Sequence, residues 1–344
     1  MLESPLIWAM VLAFVVAALL AGSWLMTAAG RKAAPDVAPM SGDRPAAGAA
    51  TASPRSAAPA LGHVRSWGYQ LQDLDLDHAA AGPHDLLVVD YTLDGTEATR
   101  LSPGQIERLK HKPDGSRRIV LAYVSIGEAE SYRPYWQPSW AQTKPLWLLR
   151  ENPQWPQNFA VCFWDPGWQR IMFGRKDAYL DRIQALGFDG FYLDKCDVYE
   201  DLQTHEKRLA ATRPSIERDM VDYVAALSRH LKAQAPGFLV VMQNAEGLLA
   251  HPDLLAAIDG VAKEELLFGV DAAEKRNGAD EVAFSKTCLD RAKRAGKPVF
   301  VVEYLNARDK IRQASTTIAD FGYTLYVSPK DRALSRLNYD GQSV

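Results

Sequence analysis

A chain of 344 residues that is 47% hydrophobic and 24% charged has the make-up of a globular protein with a full-sized core, which excludes disorder as its main state. A net charge of -3, with no Lys/Arg run and no basic-aromatic alternation, excludes a nucleic-acid partner. Cys162, Cys196 and Cys288 are too few and too scattered for a disulfide framework or a zinc site, so neither metal nor cofactor is expected, whereas nine Trp and thirteen Tyr suit gripping sugars or building a large interface.

Residues 4–30 carry no charged side chain, and PLIWAMVLAFVVAALLAGSWLM is long enough to cross ~30 Å of hydrocarbon as a helix. Residues 1–30 are therefore expected to be a transmembrane signal-anchor or a signal peptide, giving the chain a membrane partner. The flanks are awkward: Glu3 precedes the segment and Arg31 and Lys32 follow it, which by the positive-inside tendency holds the C-terminal side in the cytoplasm. A cleaved signal normally has a positive n-region, and here only the terminal amine supplies one. Residues 31–63 read as a disordered linker, since 31–60 hold eleven Ala and five Pro without hydrophobic periodicity. The folded domain is expected over 64–344.

From Trp67 onward, short β-like runs alternate with helical stretches, the pattern of a parallel sheet covered by helices. The runs are WGYQLQ (67–72), DLLVVDY (85–91), RIVLAYVSI (118–126), FDGFYLD (188–194), FLVVMQN (238–244), IDGVAKE (258–264), PVFVVEYL (298–305) and YTLYVS (323–328). Between them, Ser102 caps a helix that has Pro103 at its first position, and SIERDMVDYVAALSRHLKAQAPG has helical spacing before a Gly stop. Eight strands in about 280 residues predict an α/β fold, a (β/α)8 TIM barrel. The doubly wound nucleotide-binding alternative lacks its GxGxxG and Walker loops.

In such barrels the chemistry sits at the C-terminal ends of the strands. Asp90, Glu128, Asp194, Asn244, Glu264 and Glu303 fall there, in chain order, and would converge on one mouth. Alternate strand residues face opposite sides. In the fourth strand Gly190, Tyr192 and Asp194 share one face and Phe191 and Leu193 the other, so Asp194 points inward. In the sixth, Gly260, Ala262 and Glu264 share a face opposite Val261, Lys263 and Glu265. Asp189 reads as a turn residue at the strand start, and Asp197, Glu200 and Asp201 as loop, with Asp197 a possible subsite group. The segment between the third and fourth strands holds six of the nine Trp: Trp136, Trp140, Trp147, Trp155, Trp164 and Trp168. A loop this long without periodicity is usually functional. Trp136 and Tyr132 are the candidate sugar platform, Trp147 and Trp168 read as packing, and Tyr123 of the third strand joins the substrate-facing set.

The blocks WGYQLQ, VLAYVSIGEAESYRPYW, VCFWDPGW, GFDGFYLDKCDVYE, QNAEGLL and IDGVAKEELLFG resemble the endo-α-1,4-polygalactosaminidase family of glycoside hydrolases, family 114, across 67–328. The resemblance implies a TIM-barrel glycosidase, typically secreted or periplasmic, that cleaves internal α-1,4 linkages of galactosamine-rich exopolysaccharide. It implies an aspartate after the fourth strand and a glutamate after the sixth. These fall on Asp194 and Glu264, the two that strand parity selects, with Glu265 of KEEL as the alternative glutamate. Two carboxyls are needed because one protonates the leaving oxygen while the other meets the cationic anomeric carbon. Similarity to related barrels makes Asp194 the nucleophile of a retaining reaction and Glu264 the acid/base. Glu264 should then be neutral, its pKa raised by burial and neighbouring carboxylates, with Asp194 ionised. Asp90, Glu128, Asp197 and Glu303 would supply a negative field for a polycationic polymer. The alternatives are a Schiff-base aldolase through Lys263, a metal-dependent barrel hydrolase and, from another class, a non-catalytic polysaccharide-binding barrel. The substrate class places the domain outside the cytoplasm; no obligate protein partner is inferred.

Overall fold

The computed structural model describes residues 60–339. The expected membrane segment at 1–30 and nearly all of the linker lie outside them, and no described helix is long and apolar enough to cross a membrane. The strands in chain order are β1 (Trp67–Gln70), β2 (Leu86–Val89), β3 (Ile119–Ser125), β4 (Glu128–Glu130), β5 (Leu148–Glu151), β6 (Asn158–Val161), β7 (Gly190–Asp194), β8 (Leu239–Gln243), β9 (Gly260–Glu264), β10 (Val299–Tyr304) and β11 (Thr324–Ser328). All eight expected strands are present and pair in parallel in the order β1-β2-β3-β7-β8-β9-β10-β11. The chain is a (β/α)8 barrel. Where β11 returns beside β1, the indole of Trp67 donates to the Thr324 carbonyl at 3.1 Å.

Strand alternation divides the apolar residues into two cores. Tyr69, Val88, Leu121, Tyr192, Val241, Ala262, Val302 and Tyr326 fill the lumen. Leu87, Val120, Phe191, Val240, Val261 and Val301 face the helices. The helices form where the sequence supplies caps. Ser102 and Gln105 close a reciprocal capping box on Pro103–Leu109, and Ser215 caps Ile216–Gln234. The folded chain begins upstream of the expected boundary at 64, because Leu61 is buried in the lumen, where a Cβ on Gly260 would lie 3.1 Å from its Cδ1.

The long segment after β3 is not a loop. Strands β4, β6 and β5 form an antiparallel sheet in that order, too short for alternation to be readable in the sequence. It rests on a cluster in which Trp140, Trp147 and Trp168 meet ring to ring, so Trp147 and Trp168 are packing residues as expected. At the base of the barrel, Asp189 binds Lys110 at 3.1 Å, Arg117 at 2.7 Å and the Val120 amide at 2.9 Å, tying β7 to β3. Two glycines set the approach to the mouth. A Cβ on Gly190 would lie 2.3 Å from the Leu239 carbonyl, and one on Gly127 would lie 2.1 Å from the Lys195 carbonyl, so only glycine lets these segments meet.

Candidate active site

Asp194 is the last residue of β7 and Glu264 the last of β9, with β8 between them. The last residue of β8, Gln243, shares its inward face with Leu239 and Val241, and its side-chain amide spans the gap. Nε2 donates to Asp194 Oδ1 at 3.0 Å and to Glu264 Oε2 at 2.7 Å. One nitrogen reaches both, so these oxygens are at most about 5.7 Å apart, the two contacts end to end. They are roughly 5 Å apart if the N–H bonds diverge at the ~120° of a planar amide. Asp194 also accepts from the Tyr123 hydroxyl (2.6 Å) and the Lys195 amide (2.7 Å). Glu264 accepts from the Tyr304 hydroxyl (2.5 Å) and from Asn244 Nδ2 (3.2 Å). Asn244 has opposite parity to Gln243, but its positive φ of 56° turns the chain so that its side chain meets Glu264, whose amide donates back to Asn244 Oδ1 at 3.1 Å.

Burial pushes both carboxyls above their ordinary values, not Glu264 alone. At Asp194 the Lys195 ammonium is the chief counterweight to burial, while Glu264 adds to the rise. At Glu264, bonds from Tyr304 and Asn244 oppose burial, and the neighbouring Glu265 adds to it. Each carboxyl thus feels one nearby cation and one nearby acid, Lys195 and Glu264 at Asp194, Lys263 and Glu265 at Glu264, and burial leaves both raised.

The pair opens into a cavity of about 750 Å³. Nine of its lining residues are Asp or Glu and three are Lys or Arg, so the mouth is strongly negative. Four of these acids are already paired with a cation. Asp90 takes both terminal nitrogens of Arg133, at 3.0 and 2.6 Å, together with the amide and hydroxyl of Thr92. Glu130 accepts from Arg133 Nε at 2.9 Å and from the Tyr132 hydroxyl. Glu128 accepts from Asn152 at 2.8 Å and lies 3.3 Å from Lys195 Nζ; burial still pushes its carboxyl up. Glu265 is paired with Arg332. Asp197 lines the cavity with Oδ1 buried and without a hydrogen-bond partner, and burial pushes its carboxyl up against the pull of Lys195.

Residues 46–343 match the sequence profile of glycoside-hydrolase family GH114. The chain belongs to that family. An uncharacterized protein of Methanocaldococcus jannaschii is 36% identical over 283 residues, 79% of this chain and 78% of that protein. Another, from Deinococcus radiodurans, is 37% identical over 289 residues, 83% of this chain and 86% of its own length. Among solved structures, the glycoside hydrolase domain of PelA from Pseudomonas aeruginosa shares the fold at a TM-score of 0.58 and 21% identity, covering 79% of this chain and 97% of that domain.

In this GH114 barrel the cavity gathers Asp90, Tyr123, Glu128, Tyr132, Asp194, Asp197, Asn244 and Glu264 from the sequence reading. Two of the readings need correction. Glu303 does not reach the mouth: Phe300, Val302 and Tyr304 take the inward face of β10, and Glu303 lies on the outer one, accepting from the Leu267 amide at 2.7 Å and the Phe268 amide at 3.3 Å. Burial lifts its carboxyl to about 8. Trp136 is not a cavity wall; it packs edge-on against Trp140 and over Phe159. Asp90 lines the cavity as expected, with its oxygens held by Arg133 and Thr92. Sequence reasoning missed Gln243, Tyr304, Lys195 and Trp155. Strand parity was the signal for the first two, since both share the inward register of Val241 and Val302. Lys263 lies on the outer face, 3.6 Å from Glu246 Oε1, so it does not offer the lumen a Schiff-base amine.

Proposed function

We propose that the chain is a retaining, endo-acting glycosidase that cleaves α-1,4 linkages within a galactosamine-rich polysaccharide, with Asp194 as nucleophile and Glu264 as acid/base. The observation that carries this reading is the single Gln243 amide bonded to both carboxylates. A separation near 5 Å suits direct attack, whereas an inverting pair stands ~6.5–9.5 Å apart to admit water. Asp194, beside the Lys195 cation, attacks the anomeric carbon while Glu264 gives its proton to the glycosidic oxygen. The leaving sugar departs with that proton and a glycosyl ester remains on Asp194. Glu264, now ionised, takes a proton from water as the water attacks the same carbon, which frees Asp194 and restores the acid. The excess of cavity acids favours a substrate bearing ammonium groups over a neutral one. A polymer of that kind is met outside the cytoplasm, where we place the domain.

The test is product analysis of the purified protein on deacetylated and acetylated α-1,4-galactosamine polymers, with the anomeric configuration of the first product followed by NMR. Retention, with at least a thousandfold loss of kcat in both Asp194→Asn and Glu264→Gln, is expected. First-formed product of inverted configuration would overturn the nucleophile, and polymer binding without turnover would make the barrel a binding module.

A further inference from the structure

Five of the six Trp between β3 and β7 are spent on packing: Trp136, Trp140, Trp147, Trp164 and Trp168 each meet another aromatic ring at 4.9–5.3 Å. Trp155 differs in three ways. It is 50% exposed, it has no aromatic partner among the described residues, and it lines the active-site cavity. The half-exposed indole offers a flat apolar face at the border of a site proposed to hold a polymer.

The hairpin between β5 and β6 fixes the Trp155 backbone. The Trp155 amide donates to the Asn152 carbonyl at 3.3 Å, and Asn152 Nδ2 reaches across to Glu128 at 2.8 Å. The Gln157 amide, at a positive φ of 73°, is bound by Glu151 at 2.6 Å. In the same hairpin Asn158 lines the cavity, and its Oδ1 is buried with no hydrogen-bond partner. The Asn158 amide donates to the Trp155 carbonyl at 3.2 Å, so one tight turn carries an apolar ring and an unsatisfied acceptor, the two halves of a pyranose site. The C–H face of the sugar stacks on the indole, and a hydroxyl or amino group donates to the amide oxygen.

Resting on the glycosidase reading above, we propose that Trp155 and Asn158 form a sugar subsite at the cavity rim, separate from the cleavage point, that takes a ring of the polymer chain other than the two being parted. An endo-acting enzyme gains from such a site only when the chain is long enough to reach it.

The decisive measurement is the dependence of kcat/KM on length over a ladder of α-1,4-linked galactosamine oligomers, from dimer to octamer, for wild type, Trp155→Ala and Trp155→Phe. Trp155→Ala is expected to lose roughly tenfold on the longest members, the scale of one aromatic contact, and less than about twofold on the shortest member cleaved. Trp155→Phe should recover most of the loss. Uniform loss across the ladder, or none at any length, would overturn the subsite. Quenching of tryptophan fluorescence by the octamer provides a readout that needs no turnover. Quenching in Glu264→Gln that disappears in Glu264→Gln/Trp155→Ala supports the subsite, and identical quenching in both refutes it. Failure of wild type to cleave any oligomer counts against the glycosidase reading, while this binding comparison still decides the fate of Trp155.

Discussion

Two pairs of acids stand at the same rim of this barrel and are held in opposite ways. Asp90 and Glu130 share a buried guanidinium: Arg133 bonds both, and its planar group also lies over the rings of Tyr91 and Tyr132. Asp194 and Glu264 share a neutral amide, Gln243. A guanidinium cancels charge and fixes geometry, which leaves its carboxylates little to offer a substrate. An amide fixes geometry and leaves the charge in place, so the two carboxyls compete for a proton. Residue type is the same in both pairs, and both line the same cavity. The partner decides which pair is neutralised and which keeps its charge.

The sharpest way to break this comparison is to remove each partner. Arg133→Met strands Asp90 and Glu130 in a buried wall without a counter-charge, and losing one member of such a network costs about 3–5 kcal/mol. Urea denaturation should show that loss, and adding Asp90→Asn to the variant should return part of it. A stability within about 1 kcal/mol of wild type would mean that water already screens the cluster.

Gln243→Leu should act on turnover, with little effect on stability. It keeps the approximate side-chain volume and removes a hydrogen bond from each of the two carboxylates. Bonds to charged groups contribute about 1.5–3 kcal/mol, so kcat should fall roughly ten- to a hundredfold. The lost donor favoured the ionised form at both residues. Both limbs of the pH–rate profile should therefore move to higher pH: the acid limb because Asp194 ionises later, the basic limb because Glu264 holds its proton longer. An unchanged profile would reduce the amide to a spacer.

What could be read in the sequence follows the same division. The eight barrel strands were legible because each is a dense apolar run bounded by turn residues, and parity among the strand-end acids chose Asp194 and Glu264. The antiparallel insert was not, because strands of three or four residues carry no readable alternation and its Trp residues look alike until packing separates Trp155 from the rest. Glu303 was misplaced by a rule that prized strand-end acids above parity, when Tyr304 held the inward position. Gln243 was passed over because an amide has no charge to attract notice, although it shares the inward register of Leu239 and Val241. Pairing is the property least visible in a sequence: nothing in the residues around Asp90 announces that Arg133, forty-three positions later, would occupy it.

Glu303 extends the comparison to an acid with neither guanidinium nor side-chain amide. Its carboxyl is fully buried and rests on two backbone amides, with a folded-state pKa near 8 against an ordinary 4.5. Between those values the unfolded chain has released this proton and the folded chain has kept it. Stability should therefore fall as pH rises through that window and level off above it. Glu303→Gln keeps an acceptor for the Leu267 and Phe268 amides and cannot ionise. Thermal melts from about pH 5 to pH 8 should show wild type declining more steeply than the variant. The two curves should converge or cross near the upper end by about 2–4 °C for each kcal/mol removed. Parallel curves would mean that Glu303 ionises in the folded barrel as readily as in water, and that two backbone amides stabilise a buried carboxylate as well as a guanidinium does.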